Sequence, residues 1–314
     1  MKVVASLAAA LAALALGACG GDGAEPGASE EATLVLDFQP NAVHTGIYAA
    51  LAGHLYRNRG VRLRVHEPSA SSDAPKLLEA GRADFAILDI HDLAIARERG
   101  FDLVAVMPIV QRPLAAVIAG DEVTDPADLE GGEVGVTGLP SDDAVLDSVL
   151  EADDADPDAV DRVTIGFEAV PQLSAGRLDA ATAFWNAEGV ALDRAGVATT
   201  EFRVDDFGAP RYPELVLVTS SDTDPGLVED VRDATTAGYE VVMRDSQTAL
   251  DDMLLRERGL DPAEQRAQLD ALLDADALAP AGRFDERALR EWADWDLEHG
   301  IVGEPIDVEA AFGT

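Results

Sequence analysis

Leu78-Glu79-Ala80-Gly81-Arg82-Ala83-Asp84-Phe85-Ala86 recurs further along the chain as Leu173-Ser174-Ala175-Gly176-Arg177-Leu178-Asp179-Ala180-Ala181. Each copy reads as the end of a helix, a glycine that stops it in the left-handed conformation, and a strand entered through an aspartate. The upstream context repeats as well. Glu133-Val134-Gly135-Val136-Thr137, followed by a loop and a helix from Ser141, parallels a strand at Leu34-Val35-Leu36-Asp37-Phe38 followed by a helix from His44 to Arg59. Two similarly wound domains account for this order better than a chance match.

Around these copies, short apolar runs alternate with amphipathic helical stretches, the pattern of parallel α/β sheets. Val61, Leu63 and Val65 alternate with Arg62, Arg64 and His66 as a strand with one wet face. Ser72-Asp73 caps a helix running to Ala80, and strands at Asp84 to Leu88 and Leu103 to Val106 flank a helix ending at Arg99-Gly100. Residues 120–132 read as a linker after the strand Leu114 to Ile118, and Gly208-Ala209-Pro210-Arg211-Tyr212-Pro213 precedes the strand Glu214 to Val218. Two such crossings predict that the second domain is inserted into the first. The expected division is 33–118 plus 215–314 for one lobe and 119–214 for the other, with the helical block from Pro225 to Gly300 completing the first. In open α/β sheets ligands sit beyond the carboxyl ends of the strands. That rule places 37–44, 89–92, 137–142 and 185–188 on one cleft.

The 314 residues carry a formal charge of −37, with 23 basic against 60 acidic side chains. Such a balance opposes binding to a polyphosphate backbone or to anionic lipid, both of which need clustered Lys and Arg. The single cysteine excludes an intramolecular disulfide, Cys-rich zinc sites and CxxC redox chemistry. It stands at the end of an apolar run that begins after Lys2 and closes as Leu16-Gly17-Ala18-Cys19, too short for a membrane span and sized as a signal-peptide core. This junction resembles the bacterial lipobox, which implies removal of residues 1–18 and acylation of Cys19. Residues 19–32 are a Gly/Pro/acid tether.

A set of ordered motifs spans roughly 33–312. They are Asp37-Phe38-Gln39-Pro40-Asn41-Ala42-Val43-His44-Thr45-Gly46-Ile47-Tyr48, Gly81-Arg82-Ala83-Asp84-Phe85, Val110-Gln111-Arg112-Pro113-Leu114 and Gly166-Phe167-Glu168. Further on come Phe184-Trp185-Asn186-Ala187-Glu188-Gly189, Gly208 to Val216, and Leu289-Arg290-Glu291-Trp292-Ala293-Asp294. In this order they resemble bacterial solute-binding proteins of ABC importers, in the branch that captures thiamine pyrimidine precursors and is related to the eukaryotic pyrimidine-precursor synthases. The resemblance implies a two-lobed periplasmic-binding-protein fold of the second type, with two doubly wound α/β lobes joined by a two-strand hinge. It also implies a small-molecule ligand, an aminopyrimidine, handed to an ABC permease and its ATPase, with the protein lipid-anchored on the outer side of the cell membrane.

An aminopyrimidine offers π-faces for stacking and an amidine-like edge for a carboxylate. Phe38 stands where the family has tryptophan, a candidate for stacking that lacks the indole donor. His44 is a candidate donor or a cap of its own helix, and Asp37 and Asn41 serve either a ligand or a turn. Trp185 with Glu188 is the leading pair. Asp89 occupies the equivalent place in the first half, and Tyr212 beside the hinge is a candidate aromatic wall. Trp292 and Trp295 belong to the core, and Glu151 to Asp156 form a solvated loop.

The synthases hold pyridoxal phosphate through a lysine with a histidine four residues on; this chain has Leu88 and Asp92 there and lacks the Cys-rich stretch. It has no Gly-x-Ser-x-Gly, His-Glu-x-x-His or Gly-rich phosphate loop, and its histidines at 44, 54, 66, 91 and 299 lack ligand spacing. The expectation is a binding protein without cofactor, metal or catalytic residues. Riboflavin, a sulfonate or nitrate are the alternative solutes, the anions disfavoured by Asp37, Asp89 and Glu188. A catalytic pyrimidine-synthase relative and an adhesin or sensor are the competing classes.

Overall fold

The computed structural model describes residues 29–68, 73–166, 168–278 and 282–313. The signal segment, most of the tether, Cys19 and Phe167 lie outside the described residues.

Two five-stranded mixed sheets organise the chain. The first is built from β1 (Glu30–Val35), β2 (Val61–His66), β3 (Phe85–Asp89), β4 (Leu103–Val110) and β10 (Leu215–Ser220), in the order β2-β1-β3-β10-β4. The second uses β5 (Ala115–Gly120), β6 (Glu133–Val136), β7 (Asp161–Thr164), β8 (Ala180–Phe184) and β9 (Thr199–Arg203), in the order β7-β6-β8-β5-β9. The orders are the same once β6, β7 and β8 are matched to β1, β2 and β3. In each sheet those three strands are parallel, and β10 or β5 runs antiparallel between its neighbours. This is the expected doubly wound pair of lobes.

The repeated nine residues do the same work in both sheets. Gly81 (φ 61°) and Gly176 (φ 59°) take the left-handed conformation that ends the preceding helix. Asp84 Oδ2 accepts from Thr33 N at 2.7 Å while Asp84 N donates to Thr33 O; Asp179 Oδ2 accepts from Glu133 N at 2.8 Å while Asp179 N donates to Glu133 O. Each aspartate thus ties one strand to the start of its parallel neighbour, just ahead of the first registered pair.

Three boundaries differ from the sequence reading. β1 begins at Glu30 rather than near Thr33, because Glu30 and Glu31 register with Val61 and Arg62, and Glu31 pairs with Arg62 and Arg64 across the strands. The helix expected over 44–59 is split into Thr45–Ala52 and Leu55–Asn58 at Gly53-His54, where His54 is left-handed (φ 57°). The third concerns the strand Ala115–Gly120, expected to close the first lobe, which pairs with β8 and β9 in the second sheet. The chain therefore crosses at 111–114, ahead of that strand, and returns at 204–214; an apolar run carries no record of which sheet receives it.

The helices Pro225–Arg244, Ser246–Arg256, Pro262–Asp274 and Glu286–Glu298 form the expected C-terminal block. Trp292 and Trp295 lie in the core with Leu88, Tyr212 and Phe312. No helix among the described residues is long and apolar enough to cross a membrane.

Replacing the strand-tying aspartates tests this architecture. Asp84→Ala leaves the Thr33 N–H without its acceptor in a half-buried site and is expected to cost about 1–3 kcal/mol in urea unfolding. The exposed Asp179→Ala costs less, since water reaches the freed N–H of Glu133. Equal losses at the two positions, or none at Asp84, contradict the assigned role.

Candidate functional site

One large cleft of about 1230 Å³, including its open mouth, lies where the carboxyl ends of β1, β3, β6 and β8 converge. Its walls include Asp37, Phe38 and Asn41 after β1, Asp89, His91 and Asp92 at the end of β3, Thr137 and Asp142 after β6, and Phe184, Asn186 and Glu188 at the end of β8. The four loops nominated from the sequence therefore meet.

In the loop after β1, Asn41 Oδ1 accepts from Val43 N at 3.0 Å, and Asn41 N donates to His44 Nδ1 at 3.2 Å. That donation makes Nδ1 the unprotonated nitrogen, so Nε2–H donates to Asp37 Oδ1 at 2.7 Å. His44 is fully buried and does not line the cleft. It orients the aspartate that does.

Glu188 sits in a π-helical turn, Trp185–Gly189, and its Oε2 accepts from Phe184 N at 3.1 Å. Burial pushes its carboxyl up, against the pull of the Phe184 and Glu188 N–H groups. Trp185 departs from the expected stacking position. β8 ends at Phe184, whose side chain lines the cleft, and the next residue turns inward. Its indole, 1% exposed, donates from Nε1 to Pro113 O at 2.9 Å and lies under the Arg203 guanidinium, 4.2 Å from the ring. Tyr212 likewise is buried behind the wall, edge-on to His91 at 5.0 Å, and its hydroxyl has no partner. Among the eight nominated ligand contacts, Asp37, Phe38, Asn41, Asp89 and Glu188 line the cleft; His44, Trp185 and Tyr212 support it.

Several wall residues went unnamed in the sequence reading. Asn186 is 1% exposed with an unpartnered Oδ1. The Asp142 carboxylate gathers the N–H groups of Thr137 (2.8 Å) and Leu139 (3.4 Å) together with the Thr137 hydroxyl, shaping the loop after β6. Asn186 lay inside a quoted motif, and Asp142 follows Ser141 at a helix start, a position where acids are common for local reasons.

The densest chemistry lies at the hinge. Glu214 is 1% exposed; its Oε2 accepts from Leu114 N at 2.5 Å and Ala115 N at 3.4 Å. It hydrogen-bonds Asp89, whose Oδ1 caps the next helix through His91 N at 2.7 Å. Burial raises both carboxyls, although the nearby His91 opposes the shift. Burial alone would lower His91, but Asp296, Asp89 and Glu214 overrule it and lift the imidazole to about 10. Its Nδ1 meets Asp296 Oδ1 at 2.8 Å, with Trp292 Nε1 3.2 Å from the same nitrogen. Sequence spacing gave no signal for this cluster because its members come from β3, the second crossing and the last long helix.

Asp92 is held up at about 7, against an ordinary 3.8, by burial and then by Asp89, with Asp142 across the cleft adding to the push. The folded chain thus binds more protons than the unfolded chain between about pH 4 and pH 7. Stability from Asp92 is complete below the unfolded value and is lost as pH rises through about 7. Asp92→Asn should stabilise the chain by roughly 1–4 kcal/mol at pH 8 and by little at pH 4. Urea unfolding at the two pH values reads this directly; an equal effect at both contradicts the assignment.

The family described as NMT1/THI5 like matches residues 41–249. A formylaminopyrimidine-binding protein of Halalkalibacterium halodurans is 28% identical over 303 residues, 91% of each chain. A 4-amino-5-hydroxymethyl-2-methylpyrimidine phosphate synthase of Saccharomyces cerevisiae is 26% identical over 156 residues, 48% of this chain and 45% of that one. The crystal structure of the periplasmic aliphatic sulphonate binding protein of Escherichia coli superposes with a TM-score of 0.73 at 14% identity, covering 91% of this chain and 92% of that one. At that identity the likeness concerns the fold.

Proposed function

Because the chain belongs to the NMT1/THI5 like family, we propose that it is the substrate-binding component of an ABC importer. In this reading it captures a thiamine-type aminopyrimidine between its lobes and delivers it to a permease. The observation that carries the reading is the charge of the cleft. Asp37, Asp89, Asp92, Asp142, Glu188 and Glu214 line it, and no lysine or arginine does among the described residues. Such a wall suits a ligand rich in N–H donors and opposes a sulfonate or nitrate, which needs cations or converging N–H groups. Phe38 from the first lobe and Phe184 from the second supply aromatic surface for a flat ring.

In this assignment Glu188 and Asp37 read the amidine-like edge. Glu188 does so with one oxygen already fixed on Phe184 N, and Asp37 is steadied by His44. A ligand that touches both lobes favours the closed arrangement over the open one, and closure is a population shift.

The chain acts without turnover of its ligand. A Schiff base needs an amine, Leu88 and Asp92 stand at the places of the synthases' lysine and histidine, and both line a cleft that has no lysine among the described residues. Its working position is outside the cytoplasmic membrane, tethered through lipid on Cys19. Two or three acyl chains at about 0.8 kcal/mol per buried methylene suffice for that.

A thermal-shift series over aminopyrimidines, thiamine, riboflavin and alkylsulfonates tests the ligand. An aminopyrimidine is expected to raise the melting temperature, by roughly 2.7 kcal/mol of stabilisation at a hundredfold excess over Kd. Glu188→Gln removes a charge-assisted hydrogen bond and should weaken binding about 10- to 100-fold. A shift from an alkylsulfonate or riboflavin with none from any aminopyrimidine sinks the assignment.

A further inference from the structure

We propose that Asp89, His91 and Glu214 bind one divalent transition-metal cation of the Zn2+ class at the hinge end of the cleft. Each of the three brings a donor atom to within 4.8 Å of the other two, and all three line the cleft. The set is one imidazole and two carboxylates, the nitrogen and oxygen donors such ions take. Donor atoms around a tetrahedral Zn2+ at about 2.1 Å sit roughly 3.4 Å apart, so the ion draws the three donors together.

The histidine supplies an observation independent of the acids. His91 is 2% exposed, its Nδ1 is engaged by Asp296 Oδ1 at 2.8 Å, and its Nε2 is buried with no hydrogen-bond partner. A carboxylate on one ring nitrogen orients the imidazole and raises the basicity of the other, the arrangement that accompanies metal-binding histidines. A buried ring nitrogen is costly if nothing engages it, and a metal ion engages it by taking the place of the ring proton.

The carboxylates are prepared in the same way. Asp89 gives Oδ1 to His91 N, and Glu214 gives Oε2 to Leu114 N and Ala115 N. Their remaining oxygens are left to a cation. Asp296 is bonded to the imidazole and Asp89 and Glu214 bring donor atoms within 4.8 Å of it, and no Lys or Arg lines the cleft among the described residues. Two or more carboxylates taken out of water without a cation cost several kcal/mol each, and a divalent ion supplies the missing positive charge. Three protein ligands leave a fourth position open toward the cleft, the geometry of a site that accepts an exogenous donor.

This site goes beyond the transport reading and does not depend on the identity of the solute. The test uses the untagged full chain, stripped with a chelator and titrated with Zn2+ in excess Mg2+, which occupies exposed carboxylates. Calorimetry and metal analysis after desalting are expected to give one Zn2+ per chain and a raised melting temperature. Asp89→Asn should abolish that stoichiometry. Asp296→Asn, which acts through His91 as a positioning residue, should weaken binding about 10- to 100-fold, and surface Glu291→Gln should leave it unchanged. Near-UV circular dichroism checks that each variant is folded; should Asp296→Asn unfold, Asp89→Asn at the half-buried wall carries the test. No Zn2+ retained by the folded parent chain, or retention unaffected by Asp89→Asn, overturns the proposal. The aminopyrimidine shift, measured separately in chelator, reports on the transport reading alone.

Discussion

The carboxylate of Glu214 is the group on which the two lobes and the cleft between them jointly depend. It stands at the end of the second crossing, takes the N–H groups of Leu114 and Ala115 in the first, and its main-chain carbonyl accepts from Ile90 N at the start of the helix behind Asp89. One buried residue thus joins both crossings to the floor of the cleft, the first crossing through its side chain and the floor through its main chain. Removing that side chain leaves the N–H groups of Leu114 and Ala115 without their acceptor, at a cost of about 1–3 kcal/mol for each buried donor. Arg112 adds a second brace, donating from the first crossing to Asp205 in the second at 2.8 Å. Any rotation of one sheet against the other has to pass through the backbone dihedrals of these short crossings. Their bracing decides which rotations are cheap.

The same constraint explains an electrostatic oddity. A chain of charge −37 has every reason to keep its carboxylates in water, yet six of them line the cleft. Burial pushes Asp92, Asp142, Glu188 and the Asp89/Glu214 pair upward. Each raised carboxyl marks folding energy withheld until a proton, a donor-rich ligand or a cation arrives. Local stability given up at a site and recovered on binding is the thermodynamic form of affinity, since whatever binds the folded state alone stabilises it. The surface acids have no such role: those that pair with arginines in exposed bridges or cap helices are each worth little.

Much of the fold was legible because its signals are local. A glycine stop, an aspartate and an apolar run occupy nine consecutive residues, and both copies act alike, down to the Asp84 and Asp179 bonds to the neighbouring strand. The sheet that receives Ala115–Gly120 was not legible, since pairing partners are a long-range choice between two apolar edges. The hinge cluster was hidden for a related reason. His91 looks solitary in sequence, and its partners Glu214 and Asp296 come from distant elements. Spacing rules find ligand sets carried on one helix or one loop; they are blind to sets assembled by topology.

Trp185 shows how fine the remaining margin is. The aromatic pair Phe184-Trp185 straddles the end of β8, and side chains alternate between faces along a strand. Which ring faces the cleft hangs on whether the strand ends one residue earlier or later. The strand ends at Phe184, so the phenyl ring lines the wall and the indole turns back to hold Pro113 in the first crossing. His44 and Tyr212 fall the same way, one behind Asp37 and the other behind His91. The motif residues therefore divide into a wall and the braces that set its geometry. A wall held by a fixed tautomer at His44 and an indole bond at Pro113 has lost its rotamer freedom before any ligand arrives. That lowers the ordering cost of binding and makes the braces as consequential for affinity as the side chains that touch the ligand.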